Sequence, residues 1–192
     1  MKNGFDKVSI KQIHEESGLA AGSIYYYFKD KDEILEQMVI KYLINPIQRL
    51  KDKILAFDGS IMERLELLFN HGNSPLNTEI ESLDISIEFS FDYREYWILH
   101  TSIYHQHPEV RPLFSKLCEE LHEFYNKLIQ EAIEKKEIRK DIDIKTLNLF
   151  IRTVFRGFLI LLVFQPNLSS EKLLKANTRL VWEAIKEDRI VQ

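Results

Sequence analysis

SIKQIHEESGLAAGSIYYYFKDK, residues 9–31, decides the fold. Ser9 and Gln12 have the S-x-x-Q spacing of a capping box, in which the hydroxyl takes the Gln12 amide and the Gln12 side chain reaches back to the Ser9 amide. Val8 and Ile13 stand where a hydrophobic staple would close over that cap. The spacing predicts a helix from about Ile10 to Glu16, with Ile10, Ile13 and Ser17 on one face. Gly18 then supplies a left-handed residue that ends a helix cheaply. A second short helix is expected over about Ala20–Tyr27, after a gap of helix-turn-helix length. Asp30 and Glu33, as D-x-x-E, open a third.

The residue types on the second helix suit a DNA groove. Ala20, Ala21 and Gly22 are small, so backbone can approach base edges and phosphates closely. Free amides at a helix start attract a phosphate. Ser23, Tyr25 and Tyr26 offer hydroxyls to backbone oxygens, which set register rather than sequence preference. Lys31, with Lys29 beside it, would neutralise phosphates at the far side. Ser9 and Lys11, at the start of the first helix, complete the expected DNA-contacting set, Lys11 reaching a base edge or a phosphate. The competing reading makes Tyr25, Tyr27 and Phe28 core aromatics of a three-helix cluster. That reading is preferred for Phe28 and Ile24, and DNA contact for Tyr25 and Tyr26 with Lys31.

Gly18 to Leu35, GLAAGSIYYYFKDKDEIL, resembles the signature of the TetR family of transcriptional regulators. That signature is Gly, an apolar residue, three variable residues, Ser or Thr, an apolar residue, Tyr, any residue, Tyr or His, Phe, two variable residues and Lys. Gly18, Leu19, Ser23, Ile24, Tyr25, Tyr27, Phe28 and Lys31 supply every fixed element, and Gly4 to Ile13 match the family's lead-in. Three departures stand out. The family carries a whole amphipathic helix before the lead-in, whereas this sequence reaches Gly4 within four residues, so that helix is expected to be absent or a stub. His14 stands where the family usually has Ala. Ala20 replaces a common Ser or Thr cap, at about 1 kcal/mol of local helix stability.

The resemblance implies an all-α chain. Residues 1–35 would form a helix-turn-helix DNA-binding domain, truncated at its start, and residues 36–192 a helical effector-binding and dimerisation domain. It implies a repressor that binds a palindromic double-stranded operator as a homodimer and is released by a small-molecule effector. The alternative is a helical dimeric sensor module that does not bind DNA.

Composition fits such a regulator. An apolar fraction of 45% is that of a globular protein. The net charge of −4 is unusual for a nucleic-acid binder, but it is uneven: residues 1–31 carry +1 and the remainder −5. Affinity should therefore lean on dimerisation and helix-end amides more than on bulk charge. The single cysteine, Cys118, excludes an internal disulfide framework, fits a reducing cytoplasm and is expected at a buried helix position. No apolar leader opens the sequence, and the longest unbroken apolar run, Phe158–Phe164, is too short to span a bilayer, so no membrane partner is expected.

The rest reads as helices. Asp32 to about Phe57 is periodic, with Pro46 expected to kink it. Ser60 and Glu63 form another capping box, opening a helix to about His71. Leu83–Tyr93 alternates like a strand, but an isolated strand has no partner in a helical chain, so a helix with a broad apolar face is expected. A long helix over about Glu109–Lys136 follows Pro108. Asp143 caps the next, to about Phe164, which is apolar on almost every side and calls for a partner subunit as cover. A last helix, about Ser170–Lys186, closes the core with Leu173, Leu174, Leu180, Val181 and Ile185. The family's last two long helices form a four-helix dimer bundle, and Leu117, Leu121, Leu128, Phe150, Val154, Phe158 and Leu161 are the expected interface. Arg152 and Arg156 would either face Glu119 or Glu120 across it or lie on the surface.

Phe89, Tyr93, Trp97, His100, Tyr104, Phe124 and Phe155 supply enough aromatic and imidazole groups to line an apolar effector cavity, although most such aromatics are plain core. His100, His105, His107 and Glu109 do not make a metal site by spacing, because His105 is off the face that 100 and 107 share and Pro108 ends the helix. No metal, cofactor or enzymatic activity is expected: the chain has no HExxH, no phosphate-binding glycine loop and no nucleophile elbow.

Overall fold

Ser9 caps the first helix as its spacing predicts. Its hydroxyl accepts from the Gln12 amide at 3.2 Å, and Gln12 Oε1 accepts from the Ser9 amide at 2.8 Å. The computed structural model of the chain describes residues 7–18, 22–71, 93–165 and 167–186. Helix α1 runs Ile10–Ser17 and ends at Gly18, whose φ of +65° is the left-handed conformation expected of it. Helix α2 runs Ser23–Tyr27 and starts from Gly22 at φ +91°. A Cβ at either glycine would meet nothing within 4 Å, so conformation rather than space calls for glycine there. The expected start at Ala20 is thus corrected to Ser23, since a left-handed Gly22 cannot continue a helix; Ala20 and Ala21 themselves lie outside the described residues.

Helix α3, Lys31–Val39, is capped by Asp30, which accepts from the Glu33 amide at 2.9 Å. The reciprocal half of that box is displaced by one residue: Glu33 Oε2 takes the Lys29 amide at 2.6 Å. The chain then makes one wide π turn, Ile40–Ile44, and continues as α4, Asn45–Ala56, with Pro46 in its first turn. Proline has no amide to donate and crowds the preceding turn, so the kink expected of Pro46 takes the form of a local widening of the helix.

Helix α5, Ile61–His71, opens on the Ser60–Glu63 box, in which Glu63 Oε2 accepts from the Ser60 amide at 2.7 Å, and Glu137 adds a carboxylate at 2.6 Å from the Ile61 amide. Residues 83–92 of the ambiguous segment lie outside the described residues, and Tyr93 begins α6, Tyr93–Gln106. A short 3-10 turn, Pro108–Val110, leads into α7, Arg111–Glu134. Arg111 ties this corner by donating to the Tyr104 and His105 carbonyls at 2.9 and 3.0 Å. Helix α8, Ile144–Phe164, is capped by Asp143, which accepts from the Thr146 amide at 2.8 Å. Helix α9, Ser170–Ile185, is capped by Ser169 and returns against α5 and α8.

Two apolar clusters hold these helices together. One gathers Leu35, Val39, Leu43 and Ile44 with Tyr96 and Ile103 of α6 and with Val110, Phe114 and Leu117. The other joins the ends of α4 and α7 to α5, α8 and α9 around Phe69, Leu128, Ile129, Ile151 and Phe158. Trp97 and Leu121 pack against both clusters. Across the second, Arg64, itself buried, donates from Nη1 to Glu131 at 2.7 Å and from Nε to the Phe57 carbonyl at 3.1 Å.

Several expected placements change. Leu180 is 63% exposed rather than in the core, which α9 fills with Leu174, Val181 and Ile185. Cys118 is exposed on α7 rather than buried. Leu117, Leu128 and Phe158 are buried within the chain, so their apolar surface is spent on its own core and is unavailable to a partner. Leu121 and Val154 are half-buried against the second cluster, whereas Phe150 and Leu161 are exposed. Glu120 turns to Gln48 and Lys51, at 3.0 and 3.4 Å, and leaves Arg152 and Arg156 to other neighbours.

Candidate nucleic-acid interface

Helix α2 has one inward anchor and an outward aromatic face. Ile24 is buried and Phe28 half-buried, matching the core role expected of them. Tyr25 is 64% exposed, Tyr26 83% and Tyr27 68%, an unusual concentration of aromatic area in water for one five-residue helix. Tyr26 and Tyr27 meet edge to face, with ring centroids 5.0 Å apart, so each limits the other's rotamers. Tyr27 was assigned to the core by the competing reading of the sequence; its exposure adds it to the face that Tyr25 and Tyr26 present.

The other expected contacts surround this helix. Ser23 is half-buried in its first turn, beside the exposed Gly22. Lys29 is exposed in the turn after it, and Lys31, half-buried, opens α3. On α1, Lys11 projects into solvent and makes only a 3.8 Å pair with Glu15, which a surface setting makes weak. The Ser9 hydroxyl is engaged in its own cap, so what Ser9 contributes first is the start of α1. His14 is half-buried on that helix. Phenols, lysines and a helix start on one short segment can satisfy phosphate oxygens and reach into a groove.

The expected effector-lining residues are brought together only in part. Trp97 and His100 meet at a tilt of 56° with centroids 4.9 Å apart, and His100 and Tyr104 both meet Phe114, at 4.6 and 5.7 Å. Phe155 lies instead against Phe69 at 5.2 Å, and Phe124 is buried beside Tyr125 at 5.3 Å as core. Phe89 and the Tyr93 side chain lie outside the described residues. Burial, reinforced by the Arg156 charge, pushes the His100 imidazole down to about 4, so it is neutral at physiological pH. Burial pushes the Tyr125 phenol up to about 12. His107, buried, pairs through Nδ1 with Glu109 at 2.9 Å. Among the described residues no three His, Cys, Asp or Glu side chains converge as a metal site would require.

Sequence reasoning missed Tyr96 and the contact of Arg156 with Trp97. Tyr96 is buried, and its hydroxyl donates to the Leu43 carbonyl, 3.1 Å away inside the π turn. Arg156 holds its guanidinium over the Trp97 ring at 4.5 Å. Both contacts join residues far apart in the chain, and periodicity carries no signal of such pairs.

Comparison with known proteins agrees with this geometry. Residues 1–38 match the family model described as bacterial regulatory proteins, tetR family. An uncharacterized HTH-type transcriptional regulator of Haemophilus influenzae is 47% identical over 36 residues, which is 19% of this chain and 19% of that relative. The fatty acid metabolism regulator protein of Bacillus subtilis is 22% identical over 144 residues, covering 75% of this chain and 67% of that protein. The crystal structure of a TetR-family transcriptional regulator from Cytophaga hutchinsonii superposes with a TM-score of 0.73 at 17% identity, over 97% of this chain and 88% of that one.

Proposed function

The chain belongs, through residues 1–38, to the tetR family of bacterial regulatory proteins, and from that premise we propose that it is a homodimeric, ligand-responsive repressor of a palindromic operator. DNA-binding transcriptional regulation is the shared property of that family; dimerisation, repression and effector release are the proposal. We take residues 1–35 as the DNA-binding domain and 36–192 as the effector and dimerisation domain, working in the cytoplasm.

The observation that carries the proposal is an apolar face that the chain leaves uncovered. On α8, Phe150, Ile160 and Phe164 are exposed and with Thr153 and Gly157 recur every three to four residues, and exposed Leu161 widens the row beside Ile160. That spacing is one continuous stripe down a helix. On α9, exposed Leu180 follows half-buried Leu173 at helical spacing, with exposed Ala176 and Ala184 on either side of it. Helix α8 is long and apolar enough to cross a bilayer by composition alone. Yet Leu147, Ile151, Phe158, Leu159 and Leu162 sit in the core and Asn148 donates to the His122 carbonyl at 2.9 Å, which is the behaviour of a core helix with one face left over. A second copy covers such a face through a two-fold interface, which meets its own image. Two α2 helices related by that two-fold suit half-sites about 34–36 Å apart.

Release follows from the continuity of α3, the π turn and α4. Leu35 and Val39 of α3 share a cluster with Tyr96 and Ile103 of α6, and no linker separates the two domains. A ligand that binds one arrangement of α6 better than the other shifts the tilt of α3, and with it the spacing of the α2 pair, by its differential affinity. The Tyr96 hydroxyl on the Leu43 carbonyl is the polar link across this joint. Tyr96→Phe should change operator affinity about two- to tenfold without effector, the range of one buried hydrogen bond. A lowered melting temperature with unchanged operator affinity would assign the bond to stability alone.

Selection of bound DNA from a random duplex library tests the main proposal. Enrichment of a two-fold symmetric sequence bound by two protomers is expected. Recovery of no preferred sequence would favour the reading as a dimeric sensor module that does not bind DNA.

A further inference from the structure

Arg152 and Arg156 stand one turn apart on α8, at the edge of the exposed stripe. Neither makes an ion pair among the described residues. Arg152 Nη1 lies 3.4 Å from His122 Nδ1, and Arg156 Cζ lies 4.5 Å from the centroid of the Trp97 ring. Two acids on neighbouring α7 already have partners: Glu120 pairs with Lys51 and accepts from the Gln48 amide, and Glu131 pairs with Arg64. Among the described residues, the other titratable groups whose electrostatics Arg156 influences are neutral. Tyr96 and Tyr125 are buried phenols held protonated by desolvation, and His100 is a neutral imidazole whose buried Nδ1 has no hydrogen-bond partner among the described residues.

This is a costly arrangement for the chain alone. Like charges one turn apart on a helix repel. An arginine held against an indole by a cation–π contact uses none of its five N–H donors in that contact. Those donors suit an anionic oxygen pair, and a guanidinium next to an aromatic wall binds one more strongly than it would in open water. The wall itself, Trp97 with His100 and Phe114 behind it, offers mainly aromatic area.

We propose that Arg156, seated on Trp97 beside His100 and seconded by Arg152, anchors the acidic head of an amphiphilic organic anion, a carboxylate or phosphate whose apolar body lies along the aromatic face of α6. This rests on the reading of residues 36–192 as an effector domain, and it names the effector's chemical class. The head group is chosen by the arginines and the body by the aromatics, so acid and alcohol of one chain length should be told apart.

Calorimetric titration of the full chain with decanoate, decyl phosphate and decanol, each kept monomeric, tests it. The two anions should bind at least about tenfold more tightly than decanol, the scale of one charge-assisted hydrogen-bonded pair. Relative affinity of decanoate and decyl phosphate then identifies which head the site takes. Arg156→Gln should erase the acid-over-alcohol preference, Arg156→Lys should keep part of it, and melting temperatures report whether each variant folds. Equal affinity for acid and alcohol, a preference that survives Arg156→Gln, or no binding by any probe would overturn the assignment. Operator occupancy followed in the same samples separates the two claims. Arg156-dependent anion binding that leaves DNA bound keeps the site and contradicts effector release, whereas release by ligands indifferent to Arg156 does the reverse.

Discussion

If the proposed homodimer forms through α8, Ile160→Asp will split it and abolish operator binding, while the protomer stays folded. Ile160 is 46% exposed at the middle of the α8 stripe, so in the isolated chain an aspartate there meets water. Exposed substitutions of that kind change protomer stability by about 0.5 kcal/mol or less. In a two-fold interface the same change appears twice, and each carboxylate is buried without a partner, at a cost on the order of 3 kcal/mol per copy. Dimer affinity should therefore fall at least about a thousandfold. Operator affinity falls with it, because a single α2 contributes only half of the phosphate and groove contacts. Sedimentation velocity and anisotropy on the same preparation check both parts. An unchanged sedimentation coefficient would mean that another surface forms the dimer.

Phe158→Ala will do the opposite: a large loss of stability with the association surface left in place. Phe158 is 1% exposed and packs edge to face on Phe69 with centroids 5.9 Å apart, in the cluster shared by α5, α7, α8 and α9. Removing a buried phenyl ring costs about 3–5 kcal/mol in lost transfer energy and the cavity left behind. That is a large share of the roughly 5–15 kcal/mol that holds a typical domain. For a chain of this length the melting temperature should drop by about 6–20 °C. Melting has to be compared at one protein concentration, since dimerisation raises apparent stability. A drop of less than about 2 °C, together with loss of the dimer, would return Phe158 to the interface set that the sequence suggested.

These two residues mark where the sequence stopped being readable. Ser9, Ser60 and Asp143 cap helices where their spacing said they would, because a cap depends on groups three residues apart. The helix-turn-helix was equally legible, since Gly18, Ile24 and the flanking caps are local. Helix α8 was not. It is apolar at nearly every position, so its periodicity cannot separate buried Phe158 from exposed Ile160; only the placement of α7 and α9 does. Leu180 failed for a related reason: it continues an apolar pattern on α9 beside Val181, and only Val181 reaches the core. Pro46 announced a break without saying that a wide π turn would absorb it. Tyr27 stayed open between core and surface because three tyrosines in a row leave a five-residue helix free to turn any of them inward, and Ile24 alone takes that place.

The central claim is that the exposed α2 tyrosines hold an operator. Fluorescence-anisotropy titration of DNA from around the chain's own gene, against non-specific competitor and at several salt concentrations, tests it most directly when the unchanged chain is run beside a Tyr25→Ala, Tyr26→Ala variant. Competitor-resistant binding that weakens at least about tenfold in the variant is expected, since each phenol lost would remove a proposed hydrogen bond to a charged phosphate, with oligomeric state and melting temperature unaltered. Equal binding by the two proteins, or loss of the dimer in the variant, would contradict it and return the tyrosines to a structural role.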